Sequence, residues 1–250
     1  MNKYLKNLNR IEFVITYACT GRCKHCSEGE HTALGECIDN EKARELVKSA
    51  AEKYQINSLM TFGGEPLLYP DTVCAIHSMA KEMKIPKRQL ITNGFFSTDI
   101  DKIKYVAHDL MQCGVNDILL SVDAFHQETI PIDPVKIFAD EIYKSGIRIR
   151  LQPAWLVDRE HDNPYNRKTV EILEIFKKDG FEEAGGNVIF PSGNALKYLG
   201  EYFDSNKEYV SPYTENPKDI HAISISPNGD VLKDNIYSTD ILKIFEKYEP

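Results

Sequence analysis

Three cysteines, Cys19, Cys23 and Cys26, lie within eight residues near the start of the chain. Thiolates are ligands for soft metal centres, and Gly21 lets the backbone between them curl so that the sulfurs can converge. A structural zinc site normally has four protein ligands, often as two CxxC-like pairs, and the sequence has no second pair. An iron-sulfur cluster is usually held by four thiolates. Three cysteines therefore favour a cluster with one iron left open to a ligand that is not a side chain.

A second motif, Gly63-Gly64-Glu65-Pro66, follows the next apolar run of the chain. Its two glycines permit backbone groups to approach a ligand closely, and a carboxylate complements an ammonium group. Together, the CxxxCxxC spacing and this motif resemble the radical S-adenosylmethionine superfamily. The resemblance implies that the three cysteines bind one 4Fe-4S cluster, whose open iron chelates the amino and carboxyl groups of S-adenosylmethionine. It also implies that backbone groups of the second motif and Glu65 receive the methionyl ammonium.

Short apolar runs alternate with amphipathic segments over most of the chain. The runs predict six strands, at 11–18, 58–62, 88–92, 117–122, 147–152 and 186–190. Apolar residues at helical spacing predict a helix after each of the first five strands. The expected N-caps include Asp39 or Asn40, Asp71, Ser97 or Thr98, and Asp133. This alternation favours an α/β fold with a parallel sheet, and the resemblance implies a partial (β/α)6 TIM-like barrel.

Polar residues follow several predicted strands, at the end of a barrel where ligands bind. Asn93 follows the third strand, and Ser121 and Asp123 lie two residues apart at the end of the fourth, so they point to the same side. The resemblance implies that these residues contact the ribose of the cofactor. For Asp123, a helix cap is the alternative.

The fifth predicted strand alternates polar and apolar residues, with Arg150 and Gln152 on its polar face. Either residue is a candidate to meet the carboxylate of the cofactor. A salt bridge inside the barrel is the alternative.

The other histidines and cysteines have less specific surroundings. His25, between the cluster cysteines, occupies a position that is often aromatic in the superfamily, where the main chain approaches the adenine. His126 is either a substrate contact or a solvated loop residue. Cys37 is either a hydrogen-atom donor or a spectator thiol, whereas Cys74 and Cys113 fall on predicted helices and suit packing. We therefore expect one cluster and no auxiliary one.

The pattern changes after residue 191, which predicts a barrel over 1–191 and a C-terminal extension over 192–250. Residues 223–233 predict a hairpin that turns at Asn228-Gly229, and a helix is expected over 239–248. The extension resembles the SPASM or Twitch extensions of the superfamily without their cluster cysteines, because Lys233-Asp234 stand where a cysteine is expected. A generic hairpin is the alternative.

Composition limits the partners that the protein can have. The chain has 250 residues, a formal net charge of -8 and six cysteines. No run of lysine and arginine stands out, which argues against a nucleic-acid partner. The N-terminus lacks a signal-peptide core, and no apolar run approaches the ~20 residues of a membrane helix. We therefore expect a cytoplasmic protein with no membrane partner, whose cysteines are thiols or cluster ligands.

The resemblance also implies a reaction. A reduced cluster passes one electron to S-adenosylmethionine, which yields methionine and a 5'-deoxyadenosyl radical that abstracts a substrate hydrogen. We expect an oxygen-sensitive enzyme with a one-electron donor such as flavodoxin or ferredoxin. The SPASM-like extension favours a peptide or peptide-like metabolite over other small-molecule substrates. A glycyl-radical-enzyme activase and a non-catalytic iron-sulfur electron carrier are the alternatives.

Overall fold

A seven-stranded parallel sheet organises the computed structural model, which describes residues 2–204, 206–209, 211 and 214–250. The strands are β1 (Arg10–Val14), β2 (Ser58–Phe62), β3 (Lys87–Thr92), β4 (Asp117–Leu120), β5 (Arg148–Leu151), β6 (Ala154–Trp155), β7 (Glu182–Glu183), β8 (Asn187–Val188), β9 (Ala222–Ile225), β10 (Asp230–Val231) and β11 (Asp234–Asn235). The main sheet has the order β7-β5-β4-β3-β2-β1-β9, with every pair parallel. The predicted α/β fold with the parallel strands of a partial TIM-like barrel is confirmed.

Helices follow the strands and cover the sheet. They are α1 (Asn40–Lys53), α2 (Pro70–Glu82), α3 (Ile100–Cys113), α4 (Ala124–Gln127), α5 (Ile132–Lys144), α6 (Pro164–Lys177), α7 (Gly193–Leu199) and α8 (Ile241–Lys247). Helices α1, α2, α3 and α5 pack side by side in that order. Each buries an apolar stripe at helical spacing, such as Ala43, Leu46, Val47 and Ala50 of α1, although Ile100 in the stripe predicted for α3 is exposed.

Only some of the N-cap residues predicted from the sequence are observed in the structure. Asp39 caps α1 by accepting a hydrogen bond from the N–H of Lys42 at 2.9 Å, and Asp99 caps α3. The prediction of Ser97 or Thr98 as the cap of α3 was therefore wrong. Helices α2 and α5 begin without the predicted side-chain caps. In α2, a proline in the first turn leaves one N–H fewer to satisfy.

The sixth strand of the sheet is not where the sequence placed it. Strand β7 pairs with β5, whereas β8, inside the predicted 186–190, pairs with β6 in a separate two-stranded sheet. Gly186 separates the two strands with a φ of +74°, and a Cβ there would lie 2.6 Å from Trp155 Nε1. The glycine thus turns the chain away from the main sheet before it can extend β7.

The C-terminal residues also pair differently from the prediction. Strand β9 pairs in parallel with β1, with Ile223 opposite Ile11, so it is an edge strand of the main sheet; among the described residues, the arms of the predicted hairpin share one backbone hydrogen bond, from the N–H of Ser226 to the carbonyl of Asp230 at 3.1 Å. The turn forms as expected, with the N–H of Gly229 donating to the carbonyl of Ser226 at 2.9 Å. The following β10 pairs with β11 instead. The likeness to SPASM or Twitch extensions and the boundary after residue 191 stay predictions.

Two hydrophobic clusters support the fold. The larger lies between the sheet and the helices, and the smaller packs α7 against the α4 region through Phe125, Ile189, Ala195 and Leu199. In the described part of the chain, no helix has both the length and the apolar character needed to cross a membrane. The smaller cluster brings residues beyond 187 to the end of the sheet that carries the cysteines.

Candidate active site

A cavity of about 520 Å³ opens at the carboxyl ends of β1 to β5. Parallel barrels carry their ligand sites at this end. Most of the residues that the sequence predicted line it: Cys19, Cys23, Cys26, Gly63, Gly64, Asn93, Ser121 and Gln152. The predicted residues that do not line it are Glu65, Asp123 and Arg150.

The cysteine loop runs from Cys19 to Cys26 after β1. Its backbone is fixed by the N–H of Cys19, which donates to the carbonyl of Thr32 at 2.9 Å, and by the N–H of Cys26, which donates to the carbonyl of Cys23 at 3.2 Å. A Cβ at Gly21 would lie 3.2 Å from Cys23 Sγ and 3.7 Å from Cys19 Sγ. Glycine therefore leaves free the space beside two sulfurs that a cluster needs.

The thiols of Cys19 and Cys23 are poorly suited to stay as free thiolates. Burial, reinforced by the carboxylate of Glu65, raises the pKa of Cys19 to about 11. Burial also raises the pKa of Cys23, with Asp123 as the next contributor. Metal centres bind thiolates, and their positive charge offsets the cost of burying the sulfurs. Three cysteines in one loop, with Cys19 and Cys23 buried, are a donor set that fits a 4Fe-4S cluster.

The two glycines of the second motif pack against the backbone that leads into the cysteine loop. The N–H of Gly64 donates to the carbonyl of Thr16 at 2.8 Å. A Cβ at Gly63 would lie 2.6 Å from that carbonyl oxygen, and one at Gly64 would lie 2.1 Å from the carbonyl oxygen of Ala18. Both positions therefore require glycine for backbone packing as well as for access to the cavity.

Glu65 is fully buried and lies behind the cavity wall. Its Oε1 accepts hydrogen bonds from the N–H of Leu67 at 2.9 Å and the hydroxyl of Thr92 at 2.7 Å, and its Oε2 accepts one from the N–H of Asn93 at 2.9 Å. Burial raises the pKa of Glu65 to about 7, although these hydrogen bonds lower it. The carboxylate thus joins the loops after β2 and β3, and its direct contact with the methionyl ammonium stays a prediction.

Asn93 lies in the cavity wall next to the cysteine loop. Its Nδ2 donates to the hydroxyl of Thr20 at 3.2 Å and lies 3.7 Å from Cys19 Sγ. Its Oδ1 accepts from the N–H of Phe95 at 2.8 Å. Glu65 therefore fixes, through Asn93, a polar group beside Cys19, a predicted cluster ligand.

Asp123 acts as a helix cap, the alternative that the sequence left open. It is fully buried, and its Oδ1 accepts from the N–H groups of Phe125 and His126 at the start of α4. Its Oδ2 accepts from the N–H of Ala154 at 3.0 Å and lies 2.8 Å from Nδ1 of His126. Burial alone would raise the pKa of Asp123, but the His126 ring and these hydrogen bonds hold it at about 2. Its partner His126, and not Asp123, lines the cavity.

Arg150 forms the salt bridge that was the alternative to cofactor binding. Its Nη2 lies 2.8 Å from Oδ1 and 2.7 Å from Oδ2 of Asp117, which also accepts from Nε2 of Gln89 at 2.7 Å. The guanidinium points back toward the start of β4 and lies outside the cavity. Gln152, two residues further along, lies in the cavity wall.

Three histidines surround the cysteine loop, and sequence reasoning missed one of them. His31 Nε2 lies 3.0 Å from Cys26 Sγ, and its Nδ1 lies 2.7 Å from the carbonyl oxygen of Tyr17. The signal that could have identified His31 is its position five residues after Cys26.

Burial, followed by the nearby His126, lowers the pKa of His25 to about 4, so its ring is neutral. Among the described residues, Cys23, His25 and His126 bring their ligand atoms within 4.8 Å of one another.

The far wall of the cavity was not predicted. It consists of Val188 at the end of β8, the following Ile189, Phe190 and Ser192, and Ser211. No lysine or arginine is among the described residues of the lining, and Glu28 is its one carboxylate there.

The cysteines outside the motif lie away from this cavity. Cys37 Sγ is 3.9 Å from the hydroxyl of Thr72. Cys74 lies on α2 and Cys113 on the adjacent α3, where both pack against the hydrophobic core. None of the three is in the described lining.

Comparison with known proteins points to one family. The model of the Radical SAM superfamily matches residues 13–191, which is more than half of the chain. A probable GTP 3',8-cyclase of Saccharolobus solfataricus is 25% identical over 223 residues, covering 82% of this chain and 67% of that protein.

Solved structures share the fold. Streptococcus suis SuiB bound to precursor peptide SuiA has a TM-score of 0.61 at 12% identity, over 98% of this chain and 65% of SuiB. The protein anSMEcpe with bound AdoMet has a TM-score of 0.60 at 14% identity, over 96% of this chain and 77% of that one. The chain thus spans about two thirds of the cyclase relative and of SuiB. Because the family match includes both the cysteine and the glycine motifs, the chain belongs to the radical SAM superfamily and is an enzyme whose cofactors are a 4Fe-4S cluster and S-adenosylmethionine.

Proposed function

We propose that this enzyme abstracts a hydrogen atom from a peptide or peptide-like metabolite that carries no phosphate. The observation that carries the proposal is the charge of the cavity. Its described lining has no lysine or arginine, and its one carboxylate is Glu28. Proteins usually bind phosphate groups through lysine, arginine or a metal ion. A neutral or cationic substrate therefore suits this lining better than a polyanion.

The residues of the chain position the cofactors and exclude water from the site. When bound, the cluster and S-adenosylmethionine supply an adenosyl carbon radical by reductive cleavage. Cys19, Cys23 and Cys26 hold the cluster, while the hydroxyl of Ser121 and the amide of Gln152 offer polar contacts to the cofactor. Apolar side chains of the far wall, such as Ile189 and Phe190, exclude water from the space that remains for substrate.

Cyclisation of GTP is the second candidate, because several relatives at 23–26% identity are named GTP 3',8-cyclase or probable GTP 3',8-cyclase. That reaction needs a site for a triphosphate, whose several negative charges call for side-chain cations. The described lining provides no lysine or arginine. A one-electron donor such as flavodoxin or ferredoxin, a cytoplasmic location and the absence of a nucleic-acid partner stay predictions from the sequence.

The test uses the anaerobically reconstituted, dithionite-reduced enzyme with S-adenosylmethionine. Formation of 5'-deoxyadenosine is measured without substrate, with GTP, and with a pool of synthetic peptides deuterated at carbon. We expect slow formation alone, faster formation with some peptides together with deuterium in the 5'-deoxyadenosine, and no effect of GTP. The Cys19→Ala variant is the control for cluster-dependent cleavage.

Two results would contradict the proposal in different ways. Faster cleavage with GTP, but with no peptide, would overturn the substrate class and favour cyclisation. Absence of 5'-deoxyadenosine under every condition, with a fully loaded cluster, would count against hydrogen abstraction itself.

A further inference from the structure

The segment 192–197, directly after the last residue of the family match, packs against the cysteine loop and the residues 27–30 that follow it. The hydroxyl of Ser192 donates to the carbonyl of Ser27 at 3.3 Å. Further along, Lys197 Nζ forms an ion pair with Glu30 at 2.5 Å. Contacts at both ends of this segment therefore reach the residues that directly follow Cys26, although these residues are 165 or more positions away in the sequence.

Asn194 makes the central contacts. Its side chain is buried, with 6% of the residue exposed, and its Nδ2 donates to the carbonyls of Cys23 at 3.2 Å and Gly29 at 3.1 Å. Its backbone N–H donates to the carbonyl of Cys26 at 2.9 Å. One residue thus binds three carbonyls, those of Cys23 and Cys26 in the cysteine loop and that of Gly29 just after it.

The segment 192–197 lies so close to the residues after Cys26 that a side chain at Gly193 would clash with them. Gly193 has a φ of +52°, and a Cβ there would lie 2.4 Å from the carbonyl oxygen of Ser27. Within 23–29, the N–H of Cys26 donates to the carbonyl of Cys23 at 3.2 Å and the N–H of Gly29 to the carbonyl of Cys26 at 3.4 Å, whereas the backbone N–H of Asn194 reaches the carbonyl of Cys26 at 2.9 Å. The shape of the loop therefore depends on the donors of Asn194.

We propose that Asn194 is a positioning residue for the 4Fe-4S cluster, which fixes the loop of Cys23 and Cys26 and thereby controls how firmly the cluster is held. The inference does not depend on which substrate the enzyme uses. Asn194 also places the partial positive charges of its N–H groups beside the loop. Donors and nearby charge are among the features that set cluster potentials. Asn194 thus favours the reduced, more negative cluster.

The test compares Asn194→Asp and Asn194→Leu in the reconstituted holoenzyme. The Asp variant places oxygen and negative charge against two carbonyl oxygens, whereas the Leu variant only removes the side-chain donors. Iron release to a chelator is followed by bleaching of the visible absorbance, and the midpoint potential is measured by anaerobic titration. We expect about tenfold to a hundredfold faster release for Asp, and about tenfold for Leu, from the loss of two buried hydrogen bonds. The potential should become more negative in the Asp variant.

Asn166→Asp is the matched control. Asn166 is equally buried, at 4% exposed, and its Nδ2 also donates to loop carbonyls, those of Leu156, Asp158 and His161. This loop carries no cluster ligand, so the control should release iron at the wild-type rate with an unchanged potential.

Two outcomes would overturn the proposal. One is a wild-type rate of iron release together with a wild-type midpoint potential in both Asn194 variants. The other is equal acceleration in Asn166→Asp, which would indicate general loosening of the protein. If the Asp variant does not fold, the Leu variant decides, because its wild-type release rate would by itself exclude the positioning role.

Discussion

Replacing Glu65 by alanine should destabilise the protein in a pH-dependent way. The carboxyl group accepts three hydrogen bonds in a fully buried position, from Leu67, Thr92 and Asn93. At roughly 1 kcal/mol net for each lost hydrogen bond, Glu65→Ala should lower the free energy of unfolding by about 3 kcal/mol at pH 5.5.

The pH dependence follows from the raised pKa. Burial raises the pKa of Glu65 to about 7 in the folded protein, from 4.5 when unperturbed. The folded state then binds more protons than the unfolded state, so the wild type loses stability as the pH rises from the unfolded value through the folded one. At about 1.4 kcal/mol per unit, this loss amounts to about 2 kcal/mol between pH 5.5 and 8. The alanine variant lacks the group, so the difference between the two proteins should shrink to about 1 kcal/mol at pH 8.

The assay is urea unfolding of the cluster-free protein under reducing, anaerobic conditions at both pH values. Glu52→Ala, an exposed position on α1, is the control and should change the stability by less than about 0.5 kcal/mol. A difference for Glu65→Ala that stays constant or grows with pH would refute the assigned ionisation. A difference no larger than that of the control at pH 5.5 would refute the hydrogen-bonding role.

Three further predictions concern the site and the barrel. Gly64→Ala should abolish iron binding, because its Cβ would lie 2.1 Å from the Ala18 carbonyl oxygen. The control Gly185→Ala has open space around its Cβ and should retain iron. Equal iron contents in the two variants would contradict this prediction. Arg150→Met should lower the free energy of unfolding by about 3 kcal/mol, because it leaves Asp117 without its cation. The same variant should bind S-adenosylmethionine with unchanged affinity in equilibrium dialysis. A weakened affinity would indicate that Arg150 is a cofactor ligand after all. Iron analysis should give about four irons per chain, and the same value after combined alanine replacement of the cysteines outside the motif. Those cysteines are Cys37, Cys74 and Cys113. A value near eight that falls to about four in this triple variant would reveal a second cluster.

The sequence by itself determined the features that depend on neighbouring residues. Cys19, Cys23 and Cys26 lie within one loop, so their spacing was enough to predict a cluster site. Apolar periodicity determined the alternation of strands and helices, and topology then required the ends of β2, β3 and β4 to meet at one edge. The residues that follow those strands, Asn93 and Ser121 among them, accordingly line the cavity.

The depth of a side chain in the barrel was decided only by the tertiary structure. Arg150 and Gln152 share one face of a strand, and alternation cannot distinguish them. Arg150 lies one step nearer the start of the sheet, where Asp117 is within reach, so it forms a salt bridge and Gln152 lies in the cavity wall. Glu65 likewise turns inward because three donors from two loops meet its carboxyl group.

The sequence also could not predict which segments, far apart along the chain, pack against each other. Strand β9 is a short apolar run, which suits a hairpin and an edge strand equally well, and its parallel pairing with β1 is fixed by where the preceding chain returns to the sheet. Asn194 shows no motif, since its role arises from three carbonyls that belong to a loop near the other end of the chain. Such contacts depend on how the two segments pack, and no local pattern encodes them.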